Sequence, residues 1–170
     1  MKKYPYRPDL DERDFALITL LQLDGRMPLT ELGGRLGVTH ATVRSRLERL
    51  RTRGIIRITA VADPSKVGFP TQVILGIVGN LAHMPQIEKQ LTQLEEVSYV
   101  ATTTGRLDFI VVASFGSDTD LREFLVHKLS KIEGIRSTET FHILSLGKRV
   151  WQWRLPSRRT PERRPVEQRR

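Results

Sequence analysis

The chain has 170 residues, a mass of 19.5 kDa and no cysteine. That length allows one or two small domains and excludes a barrel of about 250 residues; the missing thiols exclude disulfides, thiolate catalysis and zinc–thiolate centres. Lys and Arg number 28 against 19 Asp and Glu, a net charge of +9, and the surplus sits at the two ends: +4 over residues 1–63, +1 over 64–155 and +4 over 156–170. A basic excess placed in this way points to a polyanion such as nucleic acid.

In chain order, residues 1–9 form a short basic arm. No apolar segment long enough for a leader or a membrane helix follows it, so a cytoplasmic protein is expected. A first helix is predicted from the acidic Asp11-Glu12 turn onward, with Phe15, Ile18, Leu21 and Leu17 on one stripe. Asp24-Gly25-Arg26 stops it. A second helix starts at Pro28-Leu29-Thr30-Glu31 and closes at Gly37, a typical C′ glycine. Thr39 is the natural N-cap of a third helix, whose buried stripe is predicted as Val43, Leu47 and Leu50. Gly33-Gly34 is unusual inside a helix, because two glycines cost about 2 kcal/mol of propensity. The β-branched run Ile55–Val61 reads as a strand, a wing beside the third helix. Asp63-Pro64-Ser65 marks the boundary, so residues 10–62 make one domain and 63–71 a linker.

The rhythm then changes. Strands are predicted over Gln72–Leu81, Val97–Thr104, Leu107–Phe115 and Ile135–Leu146, with Val150–Leu155 as a further candidate. Helices are predicted over Met84–Leu94 and over Asp118–Ile132; the latter is capped by Asp118 and buries Leu121, Leu125 and Leu129. The order βαββαβ is the ferredoxin-like split βαβ, an antiparallel sheet with two helices on one face. That makes residues 72–155 a second domain and the fold class α+β. Residues 156–170 are Arg, Pro and Glu with almost nothing apolar, and are expected to be disordered.

Two helices joined by a short glycine turn, the second rich in arginine, are the pattern of a helix-turn-helix. Its second helix must pack on one side and offer polar groups to base edges and phosphates on the other. The candidates for DNA contact are Thr39, His40, Thr42, Arg44, Ser45, Arg46, Arg49 and Arg53, with Arg57 on the wing. No paired carboxylates, Ser-His-Asp set or phosphate loop supports catalysis, and the isolated histidines His83, His127 and His142 have no metal-ligand spacing. No catalytic residue, metal site or cofactor is therefore assigned.

The segments Leu10-Asp11-Glu12-Arg13-Asp14, Leu23-Asp24-Gly25-Arg26 and Leu32 to Thr39 resemble the opening of the Lrp/AsnC regulators. Arg46-Leu47-Glu48-Arg49-Leu50, Gly54-Ile55-Ile56, Asp63-Pro64, Thr104 to Phe109, Gly134-Ile135 and Thr140 continue the likeness over residues 10–155. Val38-Thr39 replaces the usual Leu-Ser pair and keeps both roles. The resemblance implies a winged helix-turn-helix joined to a ferredoxin-like effector domain. It implies dimers formed face to face by their sheets and higher assemblies such as octamers. It further implies an effector, most often an amino acid, bound between dimers near the hairpin of Thr104, Gly105, Arg106, Leu107 and Asp108, with Thr138 and Thr140 as further candidates. Read from the residues alone, Gly105 suits a tight turn and Asp108 can accept from an α-ammonium group. Two other readings compete with the effector-responsive regulator: an effector-independent DNA-architectural protein, and an enzyme resembling the siroheme decarboxylases.

Overall fold

The computed structural model describes residues 9–150 and Leu155. Its described residues form two compact units, one of residues 9–60 with 149–150 and Leu155, the other Val61–Lys148.

The first unit holds three helices: α1 (Glu12–Leu23), α2 (Leu29–Leu36) and α3 (His40–Thr52). Each boundary has a local cause. Asp11 caps α1 through a capping box. Its side chain accepts from the Asp14 N–H at 2.8 Å, and the Asp14 carboxylate accepts from the Asp11 N–H at 3.0 Å. α2 ends where Gly37 turns to φ 63, in the left-handed region. Thr39 caps α3 by accepting from the Thr42 N–H at 3.2 Å. Leu17, Ile18, Leu32, Val43 and Leu50 are the buried core. Gly33 lies where the turn crosses α2: a Cβ there would sit 2.7 Å from the Val38 carbonyl oxygen.

Three expectations change here. On α1, Phe15 and Leu21 are only half-buried, and the third buried residue is Asp14. On α3, Leu47 is half-buried and lines a surface groove instead of the core. The run Ile55–Val61 is not a strand. A strand needs a partner to hydrogen-bond its backbone, and no described segment pairs with it. Ile55 and Ile56 instead pack onto the helical core, while Ile58 and Val61 are exposed. Leu155, read above as the end of a further strand, also packs against this core.

The second unit is a four-stranded antiparallel sheet of β1 (Thr71–Gly79), β2 (Val97–Thr102), β3 (Phe109–Phe115) and β4 (Ile135–His142), in the order β2-β3-β1-β4. Its helices are α4 (Met84–Leu91) and α5 (Asp118–His127). The chain order is the expected βαββαβ. Val73, Leu75 and Ile77 of β1 and Phe109, Val111, Ala113 and Phe115 of β3 share a core with Ile87, Leu91, Phe124, Leu129 and Ile132. Strict alternation puts Ile74, Val78, Ile110 and Val112 on the opposite face, where they are only half-buried. Tyr99 and Phe141, paired with Val112 and Ile74, add exposed rings to it.

All the predicted elements of this unit shorten. β1 ends at Gly79, β2 at Thr102 and β4 at His142, and β3 starts at Phe109; α4 stops at Leu91 and α5 at His127. A 3₁₀ turn, Leu129–Lys131, completes the burial that a longer helix was expected to supply. The cap of α5 is Ser117, not Asp118: its hydroxyl accepts from the Asp120 N–H at 3.1 Å. Phe124 is buried, while Leu121 and Leu125 are only half-buried. No helix among the described residues is long and apolar enough to cross a membrane. The expected disorder of residues 156–170 lies outside the described residues.

Candidate nucleic-acid interface and effector hairpin

The α3 helix is held on the inside by Val43 and Leu50, which decides what its other faces can do. Thr39, His40, Arg44 and Ser45 are exposed, as are Arg53 just past its end and Arg57 further on. Thr42 is half-buried, and its hydroxyl shares a 2.8 Å hydrogen bond with that of Thr39. Arg51, absent from the predicted set, is also exposed. Arg44, Arg51 and Arg57 border a groove of about 830 Å³, whose floor includes Leu29, Leu47 and Ile56.

Arg46 and Arg49 are placed differently. Arg46 Nη1 donates to Asp11 Oδ2 at 2.7 Å and to Asp14 Oδ1 at 2.8 Å. Arg49 Nη2 reaches both Asp14 oxygens, at 2.7 and 2.6 Å. The Asp14 side chain is 1% exposed. Burial pushes the Asp11 carboxyl up, but the Asp14 N–H and Arg46 together hold it below the usual carboxylate range. Arg46 is raised above its ordinary value by the Asp11 and Asp14 carboxylates. Asp14 is the buried member, whereas the Arg46 and Arg49 side chains are 20% and 40% exposed, so the carboxylate depends on the pairing more than the arginines do. The sequence signal for it was Asp-x-x-Asp at a helix start, visible as an acidic first turn. The two arginines lie 32 to 35 residues further on, and nothing local announces the contact.

The hairpin between β2 and β3 is built around Gly105, at φ 121. Thr103 ties its base, donating from its N–H to the Asp108 carbonyl at 2.8 Å and from its hydroxyl to the Leu107 carbonyl at 2.6 Å. Thr104, Gly105 and Arg106 are exposed at the tip. Arg106 lies 3.4 Å from Glu139 of β4. Leu107 covers Gly76: a Cβ on Gly76 would come within 2.8 Å of a Leu107 methyl. Asp108 is already engaged. Its Oδ2 accepts from the Gly79 N–H at 2.8 Å, at the register shift where β1 leaves β4, and its own N–H donates to the Ile77 carbonyl at 2.8 Å.

Thr138 and Thr140 are not brought to this hairpin face. They pair with Ile77 and Leu75, so they point to the helix-bearing side of the sheet, whereas Glu139 pairs with Gly76 on the other side. One chain therefore divides the seven candidate effector residues between two faces.

Residues 10–51 match the AsnC-type helix-turn-helix domain, and residues 72–150 match the Lrp/AsnC ligand binding domain. The chain is 37% identical over 140 residues to an uncharacterised HTH-type transcriptional regulator of Pyrococcus abyssi, which spans 82% of this chain and 89% of that protein. Among solved structures it is similar to the leucine response regulatory protein LrpA of Mycobacterium tuberculosis, with TM-score 0.77, 26% identity, and coverage of 85% of this chain and 99% of that one. A transcriptional regulator of Neisseria meningitidis, solved as a complex with L-Met, shares the fold at TM-score 0.76 and 22% identity, covering 85% of this chain and 96% of that one.

Proposed function

The chain belongs to the Lrp/AsnC family of DNA-binding transcriptional regulators, and on that premise we propose that it reads a specific double-stranded DNA site with α3 and answers to a small-molecule effector. It is a regulator and not an enzyme. The observation that carries the DNA reading is the capped α3, anchored inward by Val43 and Leu50 while His40, Arg44 and Ser45 stay exposed along it. A two-fold dimer places two such helices in successive major grooves, on half-sites one helical turn apart or a multiple of it. The cytoplasm is the compartment this activity calls for.

The effector arm rests on the ligand-binding match. We infer an amino acid as the ligand, a reading supported by the L-Met complex of the Neisseria neighbour. The hairpin tip at Thr104–Arg106 offers backbone N–H groups for a carboxylate. Because Thr138 and Thr140 face away from that tip, a pocket using all seven residues needs more than one subunit. Dimers or octamers meet that need. Effector control follows if one assembly binds the ligand more tightly than another.

Two measurements test the reading. A duplex selected from a random pool should bind wild type, and Arg44→Gln should bind it about 5- to 100-fold more weakly with an unchanged melting temperature; equal affinity sinks the role of α3. A thermal-shift screen of the twenty amino acids, followed by size-exclusion chromatography on any hit, should yield a ligand that raises the melting temperature and changes assembly. An empty screen sinks the amino-acid reading. It points instead to an effector of another chemical class or to the effector-independent architectural role.

A further inference from the structure

The six arginines between Thr39 and Arg57 are not one basic surface. Arg46, Arg49 and Arg53 follow at spacings of three and four, so they share one flank of α3. Every one of them turns back to the start of α1: Arg46 and Arg49 to Asp11 and Asp14, and Arg53 Nη1 to the Asp9 carbonyl at 3.4 Å. Arg44 and Arg51, two turns apart, occupy the other flank and are exposed. Asp14 is the centre of the first group. It accepts from Arg46, from Arg49 at both oxygens, and from the Asp11 N–H.

We propose that Asp14 is a positioning residue for DNA recognition: by holding Arg46 and Arg49 it fixes the pose of α3 and withdraws both guanidinium groups from the phosphate backbone. Two Arg against two Asp leave this corner with no net charge. A phosphate that captured Arg49 would leave the buried Asp14 carboxylate with Arg46 and the Asp11 N–H alone, so exchange is unfavourable. Counterion release then comes from Arg44, Arg51 and Arg57 and not from Arg46 and Arg49. The proposal rests on α3 being the DNA-facing helix.

The test is the salt dependence of binding, read on the full chain with the selected duplex and with a scrambled one. Asp14→Asn removes one charge yet keeps an acceptor. It should free an arginine and steepen the slope of log K against log salt by about 0.9. Binding to the scrambled duplex should tighten, and the ratio of specific to nonspecific affinity should fall about tenfold, the equivalent of one base contact. The double variant Asp14→Asn/Arg49→Gln should bring the slope back to the wild-type value. A role confined to stability would lower the melting temperature without steepening the slope. Wild-type slope and ratio in Asp14→Asn overturn the proposal, as does a shallower slope. Should Asp14→Asn not fold, Asp11→Asn on the exposed rim loosens Arg46 and carries the same readout: a steeper slope supports the proposal and an unchanged one overturns it. Arg44→Gln is the control. It should flatten the slope by about 0.9, and its failure to do so would implicate the orientation of α3 instead of the Asp14 contacts.

Discussion

Gly33 and Gly34 are adjacent in one short helix and face different constraints. A side chain at Gly33 would run into the Val38 carbonyl at 2.7 Å, a backbone atom that cannot step aside without moving the turn. At Gly34 nothing lies within 4 Å, and its φ is not positive. Gly33→Ala should therefore destabilise the first unit by about 1–3 kcal/mol through overpacking. Gly34→Ala should stabilise it by about 0.5–1 kcal/mol through helix propensity. Thermal melts of the two variants check this, and equal shifts would refute the distinction. The sequence displayed the anomaly of a Gly-Gly pair but could not say which member mattered. That depends on where the chain returns after Gly37, a tertiary fact. Asp14 was opaque for the same reason, since its partners come from another helix. The Thr39 cap was legible because all its atoms lie within four residues.

At the scale of elements, termini carry most of the discrepancy. The apolar spacing of Leu121, Leu125 and Leu129 steps by four, which drifts off a stripe of 3.6 residues per turn. Of the three only Leu129 is buried; Phe124 and Ile132 fill the core beside it, with Leu129 and Ile132 on and just after a 3₁₀ turn. Periodicity reports burial and does not separate an α-helix from a 3₁₀ continuation. Below that turn the Lys128 ammonium pairs with Glu96. Burial pushes the Glu96 carboxyl up, but Lys128 and backbone hydrogen bonding more than offset it and leave the group below its usual range. Asp11 is depressed likewise. A depressed folded pKa means stability that is present above the unfolded value, about 4, and is lost as pH falls through the folded one. Lys128→Met should accordingly raise the midpoint of acid unfolding of the second unit. An acid titration followed by circular dichroism with an unmoved midpoint would show the pair to be inert.

For the whole molecule, one surface dominates: the sheet face carrying Ile74, Val78, Ile110 and Val112, with Tyr99 and Phe141 on it. Apolar faces of this kind mark interaction sites, and a closed two-fold dimer would bury the same patch on both copies. Val112→Glu should give a monomer by analytical ultracentrifugation with secondary structure intact; a retained dimer would locate the interface elsewhere. Leu155 has a consequence of another sort. The helical core near the start of the chain also receives a residue from beyond the second unit. The unit built on α1–α3 is thus interrupted in the gene and whole only in space. Leu155 is made only after the whole second unit, so translation supplies this contact to the α1–α3 core last of all.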